Sequence, residues 1–128
     1  MVIPLTPKLG WDEAKAFAKW IADSFVVQRP EDFTANMAKR ARHGRNYIDY
    51  RRNGRGATAV GVYIPRARSG APVSTPVSWE EVEKGVKPDE FTVETVPRRL
   101  ATLSSDPWTE IGKIRQTVNA AVRRQVGL

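Results

Sequence analysis

Between Asp32 and Glu80 the chain carries a single carboxylate, Asp49, and nine basic residues crowd around it: Lys39, Arg40, Arg42, Arg45, Arg51, Arg52, Arg55, Arg66 and Arg68. A strip so short of counter-charge belongs at the surface, because burying unpaired charge is prohibitively costly. It also holds the strongest short turn signal in the chain, Asn53-Gly54. On one side of that turn, Asn46 to Tyr50 reads as a strand, with Tyr47 and Asp49 on one face and Ile48 and Tyr50 on the other. On the other side, Thr58 to Ile64 reads as the return strand. The expectation is a surface hairpin bearing one acid among many bases. Two readings of Asp49 follow. It pairs with a neighbouring arginine as an ordinary surface ion pair, or it holds a divalent cation beside a polyphosphate. Composition alone leaves both open.

The remaining elements follow from periodicity and caps. Val2 to Leu5 suggests a short strand, which Pro4 confines to an edge. From Asp12, apolar residues at Ala14, Phe17, Ala18, Ile21 and Phe25 give one face of a helix ending near Gln28, flanked by Trp11 and Trp20 as core packing. Pro30 is placed to open a second helix with Phe33 and Met37 turned inward, stopped by Gly44. Residues 65–77 are rich in Pro, Ser and Gly and read as a loop. Ser78-Trp79-Glu80-Glu81 is a capping box that starts a short helix ended by Gly85. Phe91 to Glu94 reads as a strand, Val96 to Leu103 as a helix, and Asp106-Pro107 as the cap of a long final helix with a stripe of Ile111, Ile114, Val118, Ala121 and Val122. The order β-α-α-β-β-α-β-α-α predicts an α+β fold, a small and mostly antiparallel sheet of about four strands packed with helices.

The totals narrow the function classes. A length of 128 residues suits one domain with its own hydrophobic core. The net charge of +7 points to a polyanionic partner such as a nucleic acid or nucleotide. There is no cysteine, which excludes disulfides, thiolate metal sites and cysteine nucleophiles. His43 is the only histidine, so any metal must be held mainly by oxygen. No apolar run approaches the ~18 residues of a membrane span, and no signal-peptide pattern opens the chain, so a cytoplasmic location is expected.

The stretch IDYRRNGRGATAVGVYIPRARSGAPVSTPVSWEEV, residues 48–82, resembles the core of the polymerase/primase domain of bacterial ATP-dependent DNA ligase D, within the archaeo-eukaryotic primase superfamily. The pattern is carried by Asp49-Tyr50, Arg52-Asn53, Thr58 to Val60, Tyr63, Arg66, Ala71 to Ser74 and Trp79. VIPLTP, GWDEAKAFA, KPDEFTVETVPRRL and DPW resemble the flanks. The resemblance implies an RNA-recognition-motif-like module and a nucleotidyltransferase that extends DNA ends in non-homologous end joining. It implies Mn2+ or Mg2+ as cofactor, DNA ends and a nucleoside triphosphate as substrates, and Ku with ligase and nuclease domains as partners. Asp49 matches a catalytic, metal-binding carboxylate, and Arg66 and Arg52 match contacts to the incoming triphosphate. Lys39, Arg40, Arg42, Arg51, Arg55 and Arg68 are candidates for nucleic-acid backbone contacts. The family's paired D-x-D carboxylates and its S-G-x-K-G-L-H stretch have no counterpart in these residues. The expectation is a C-terminal half of the domain whose other half is supplied elsewhere. Two alternatives stand beside it: a non-catalytic basic module that tracks phosphates electrostatically, and a module that pairs or self-associates through an open sheet edge.

Overall fold

The computed structural model describes residues 2–128. Its regular elements are α1 (Trp11–Gln28), β1 (Phe33–Thr34), β2 (Asn46–Tyr47), α2 (Trp79–Glu83), α3 (Thr95–Thr102) and α4 (Ala120–Val126), with 3-10 turns at Lys39–Arg42, Pro88–Glu90 and Ile111–Lys113. They fall into two compact units, one running to Ala59 and taking in Arg115–Leu128, the other comprising Val60–Ile114. Among the described residues no helix is long and apolar enough to cross a membrane.

In the first unit, α1 begins where the Glu13 side chain accepts the Gly10 amide at 2.8 Å and ends as Arg29 donates its amide to the Phe25 carbonyl at 2.9 Å. Of the face predicted from the apolar spacing, Ala14, Phe17, Ala18 and Ile21 are half-buried and Phe25 is exposed, while Ala22 beside it is fully buried. Trp20 stacks near Phe17, whereas Trp11 is 61% exposed and not the core residue expected of it. Phe25 meets Phe33 edge to face at 5.4 Å, which seats β1 against α1. At the other end of the chain, Asn119 caps α4 by accepting the Val122 amide at 3.0 Å, and Arg123 pairs with Glu13 to join α4 to α1.

The helix expected from Pro30 does not form. Thr34 Oγ1 accepts the Asn36 amide and Asn36 Oδ1 accepts the Ala38 amide, so side chains take the amides that a helix would use. Phe33–Thr34 instead pairs with Asn46–Tyr47, and the pairing is parallel, Phe33 opposite Asn46 and Thr34 opposite Tyr47. This overturns the mostly antiparallel sheet. The sheet among the described residues has two strands, though helices beside strands remain broadly α+β. The hairpin fails at its turn. The type I′ turn that Asn-Gly favours needs positive φ at both central residues, and here the positive φ falls later, at Gly56 (φ 74), with neither Asn53 nor Gly54 in that region. The Val2–Leu5 strand is also absent: the N-terminal segment is held to the C-terminal one by the Thr6 amide on the Gln116 carbonyl at 2.9 Å and by Gln116 Nε2 on the Pro4 carbonyl at 2.7 Å.

The second unit is organised by caps and one ion pair. Ser78 and Glu81 exchange bonds as the capping box requires, Ser78 amide to Glu81 Oε2 at 2.7 Å and Glu81 amide to Ser78 Oγ at 3.2 Å. Gly85 ends the turn in left-handed geometry (φ 79) as predicted. Thr92 and Thr95 exchange amide-to-hydroxyl bonds at the start of α3, where Pro97 is tolerated in the first turn. Arg99 then reaches from α3 to hold both oxygens of Glu81, Nη2 at 2.9 Å from Oε2, and lies 5.4 Å from the Phe91 ring centre. Within the predicted loop, Pro65 bridges Val73 and Pro72 bridges Thr92, both antiparallel, and the predicted Phe91–Glu94 strand is reduced to the second of these bridges. The long final helix is broken. Asp106 is occupied by Tyr63 and by the Trp108 amide, residues 114–119 are irregular, and helix resumes only at Asn119's cap.

Apolar burial is thin. Among the described residues, Ala22, Val96 and Val118 are the buried apolar ones, and no large side chain is fully enclosed. Polar anchors therefore carry an unusual share of the stability. Arg99→Ala is expected to destabilise the chain by about 2 kcal/mol, the worth of hydrogen bonds to a charged group. Ser78→Ala should cost about 1 kcal/mol, a lost N-cap. Urea denaturation of both variants checks the ranking, with Arg99→Ala the weaker protein.

Candidate phosphate-binding site around Asp49

The residues leading out of β2 build the site. Asp49 Oδ1 accepts the Arg51 amide at 3.0 Å, closing a local turn that directs the chain away from the sheet. Its Oδ2 accepts from Arg52 Nε at 3.2 Å. Arg52 is held a second time, Nη1 donating to the Thr58 carbonyl at 2.8 Å, so its guanidinium closes the loop between Asp49 and Thr58. Asn53 Nδ2 donates to the Tyr50 carbonyl at 3.0 Å, which spends the asparagine on this turn instead of the expected hairpin. The ion pair is surface-lying, with the Arg52 side chain 61% exposed and that of Asp49 36% exposed.

An open pocket of about 420 Å³ lies here, lined by Met37, Arg42, Tyr47, Asp49, Arg51 and Arg52. The Arg42 guanidinium sits 4.0 Å from the Tyr47 ring centre and donates to the Met37 carbonyl at 2.6 Å. Three arginines around one carboxylate leave the pocket with a cationic excess, and arginine matches phosphate oxygens in pairs. Strand alternation had placed Tyr47 with Asp49 on one face, and both line the pocket. Met37 escaped the sequence reading because it was assigned inward on a helix that is not there. Of the backbone-contact candidates, Arg42 and Arg51 line this pocket, while Lys39 and Arg40 lie exposed on the 3-10 turn and Arg55 lies exposed in the loop.

Arg66 and Arg68 belong to the second unit and are exposed. The Arg66 amide donates to the Pro72 carbonyl at 2.8 Å, and the Arg68 amide to the Arg66 carbonyl at 2.8 Å. Just upstream, Tyr63 Oη donates to Asp106 Oδ1 at 2.6 Å. Burial first, and then this bond, push the Tyr63 hydroxyl up to about 12. The same hydroxyl, with the Trp108 amide, holds the Asp106 carboxyl below its ordinary range.

The donor set decides what metal chemistry these residues support. Among the described residues no group of three or more His, Asp or Glu side chains stands close enough to hold a metal ion. Asp49 offers one carboxylate, and each of its oxygens already accepts a hydrogen bond. The described residues do not by themselves fit a Mn2+ or Mg2+ site of the kind used in nucleotidyl transfer.

Residues 1–108 match the family model described as LigD, primase-polymerase domain. The chain is 41% identical over 128 residues to the multifunctional non-homologous end joining protein LigD of Pseudomonas aeruginosa, an overlap covering 99% of this chain and 15% of that protein. It is 32% identical over 101 residues to the bifunctional non-homologous end joining protein LigD of Bacillus subtilis, covering 78% of this chain and 16% of that protein. The multifunctional protein LigD of Mycolicibacterium smegmatis is 27% identical over 82 residues, 64% of this chain and 11% of that protein. The chain thus spans a small fraction of the length of each relative.

Two outcomes test the geometry. Asp49→Ala should change stability by less than about 1 kcal/mol, since exposed ion pairs contribute little, and thermal melting checks it. Tyr63 has a raised folded pKa, so its contribution to stability is complete below the ordinary value of 10.0 and is lost as pH rises through about 12. The melting temperature should therefore fall across that alkaline window, and Tyr63→Phe should remove that part of the fall.

Proposed function

We propose, because this chain belongs to the LigD primase-polymerase family, that it forms part of a DNA-repair polymerase adding nucleotides to DNA ends in non-homologous end joining. The relatives named above are non-homologous end joining proteins, which supports that setting. The single observation that carries the local role is the pocket at Asp49, where arginines outnumber the one carboxylate.

In nucleotidyl transfer a 3′ oxygen attacks the α-phosphorus and pyrophosphate departs, so charge accumulates on the leaving phosphates. Fixed cationic donors stabilise that charge most when they need not reorganise. Arg52 is such a donor, held by Asp49 and by the Thr58 carbonyl. In this reading Arg52 contacts the triphosphate, Asp49 both orients Arg52 and is one carboxylate of the reaction centre, and Arg42 and Arg51 meet the nucleic-acid backbone. Arg66, on its own loop in the second unit, is assigned a separate polyphosphate contact. Mn2+ or Mg2+ enters only with carboxylates that these residues do not hold, so the reading assigns those to another segment of the polymerase domain. Ligase and nuclease domains and Ku are the proposed companions; the multifunctional and bifunctional names of the relatives support further activities beside this one, and Ku is proposed on the family resemblance alone.

A second reading has its own support, since both Asp49 oxygens are already engaged: the strip binds nucleic acid without catalysis. Calorimetry with ATP, with and without Mn2+, separates the two. Nucleotide binding weakened roughly tenfold or more by Arg52→Ala and by Arg66→Ala supports the polymerase reading, in line with the worth of charge-assisted hydrogen bonds. No ATP binding, together with DNA binding that falls steeply with salt, would replace it with the second.

A further inference from the structure

Tyr63 is unusual in both its backbone and its side chain. Its φ of 60 lies in the left-handed region, which a bulky aromatic residue rarely occupies. Such a conformation persists where the surroundings over-determine it. Here they do so from two directions. The Tyr63 amide donates to the Ser74 carbonyl at 2.7 Å, and the Ser74 amide donates back to the Ile64 carbonyl at 3.1 Å. The hydroxyl, meanwhile, reaches a carboxylate 43 residues further along the chain, in a part-buried setting. Asp106 is itself held, because the oxygen that accepts from Tyr63 also accepts the Trp108 amide at 2.8 Å.

What this anchorage holds is the short segment ending at Arg66. That segment has little else to fix it. Its ladder continues only through the Arg66 amide to the Pro72 carbonyl, residues 64–70 are exposed, and Arg66 has no ion pair among the described residues. An exposed strand end with so few backbone bonds would fray. A left-handed residue also sets the direction in which the chain leaves it, so the torsion at Tyr63 determines where Arg66 emerges.

We propose that Tyr63, clamped by Asp106, is a positioning residue for Arg66, fixing the exit of the chain so that the guanidinium is presented to a polyphosphate. The inference rests on the reading of Arg66 as a polyphosphate contact. Tyr63 does not touch the ligand, since its hydroxyl is committed to Asp106. At neutral pH the pair remains hydroxyl and carboxylate, because the phenol is pushed up and the acid is pushed down.

The test is calorimetric titration of the full chain with inorganic tripolyphosphate, using Arg66→Ala, Tyr63→Phe and the double variant. Tyr63→Phe keeps the ring and the backbone, and near-ultraviolet circular dichroism verifies that it folds. The expected result is about a fivefold loss of affinity in Tyr63→Phe, the net worth of one typical hydrogen bond. No further loss should appear when Arg66 is already alanine. Asp106→Asn, which keeps an acceptor oxygen, should bind more tightly than Asp106→Ala. If Arg66→Ala weakens binding but Tyr63→Phe does not, or if Tyr63→Phe costs as much in the Arg66→Ala background, the positioning role is overturned alone. Unchanged affinity in Arg66→Ala, or no binding by the unaltered chain, overturns the reading of Arg66 and the positioning role with it.

Discussion

The bidentate grip of Arg99 on Glu81 is the interaction on which the second unit most depends. Glu81 closes the capping box of α2, and Arg99 also reaches the Pro76 carbonyl at 3.3 Å and lies by Phe91. The Arg99–Glu81 pair thus ties a helix start, a loop carbonyl and α3 together. The arrangement matters because apolar burial is slight, with Val96 the buried apolar residue of that unit. The hydrogen bonds that Arg99 donates draw the Glu81 carboxyl down, and the Ser78 amide adds to the effect. Glu13 plays a parallel part in the first unit, where the Gly10 amide and then Arg123 hold its carboxyl low. Each unit is therefore pinned by a carboxylate that starts one helix and captures an arginine from another.

Elements defined by local chemistry were legible in the chain; those defined by pairing were not. The apolar spacing from Ala14 to Phe25, the Ser78–Glu81 box, the Gly85 stop and the helix near Val96 depend on residues within a turn or two of each other, and all appear as read. The two-stranded sheet depends on Phe33 finding Asn46 across a crossover, which no short-range signal announces. The Asn53-Gly54 signal was outcompeted by Asp49, whose side chain turns the chain first. The final helix was lost for a similar reason: Asp106, apparently a cap, is claimed by Tyr63 from far away in sequence, while Asn119 caps the helix that does form. The family resemblance is independent of these pairings, because an ordered run of residues from Ile48 to Val82 carries it.

At Asp49 the sequence left two readings open. Of the two, the surface ion pair is the arrangement present, and the partner is Arg52. That arrangement bears on catalysis in a specific way. A lone carboxylate amid arginines is first a device for orienting a guanidinium. Its use as a metal donor would draw on the lone pairs that the Arg51 amide and Arg52 leave over, beside a guanidinium that repels a cation, an arrangement favoured only where other anionic ligands share the load.

Arg52 also closes the loop from Asp49 to Thr58, and that closure sets terms for any anion it meets. A guanidinium grips a phosphate best with two adjacent N–H groups on one edge. Nε is committed to Asp49 and Nη1 to the Thr58 carbonyl, so each edge that includes Nη2 already has one nitrogen in use. A one-pronged contact leaves the loop shut. A two-pronged contact can use Nη2 together with the second N–H of Nη1, which leaves the bonds to Asp49 and to the Thr58 carbonyl in place. One guanidinium can therefore serve the loop and an anion at once, with the loop held on Nη1 and the anion gripped from the Nη2 side, so the closure around Thr58 persists while the ligand is bound.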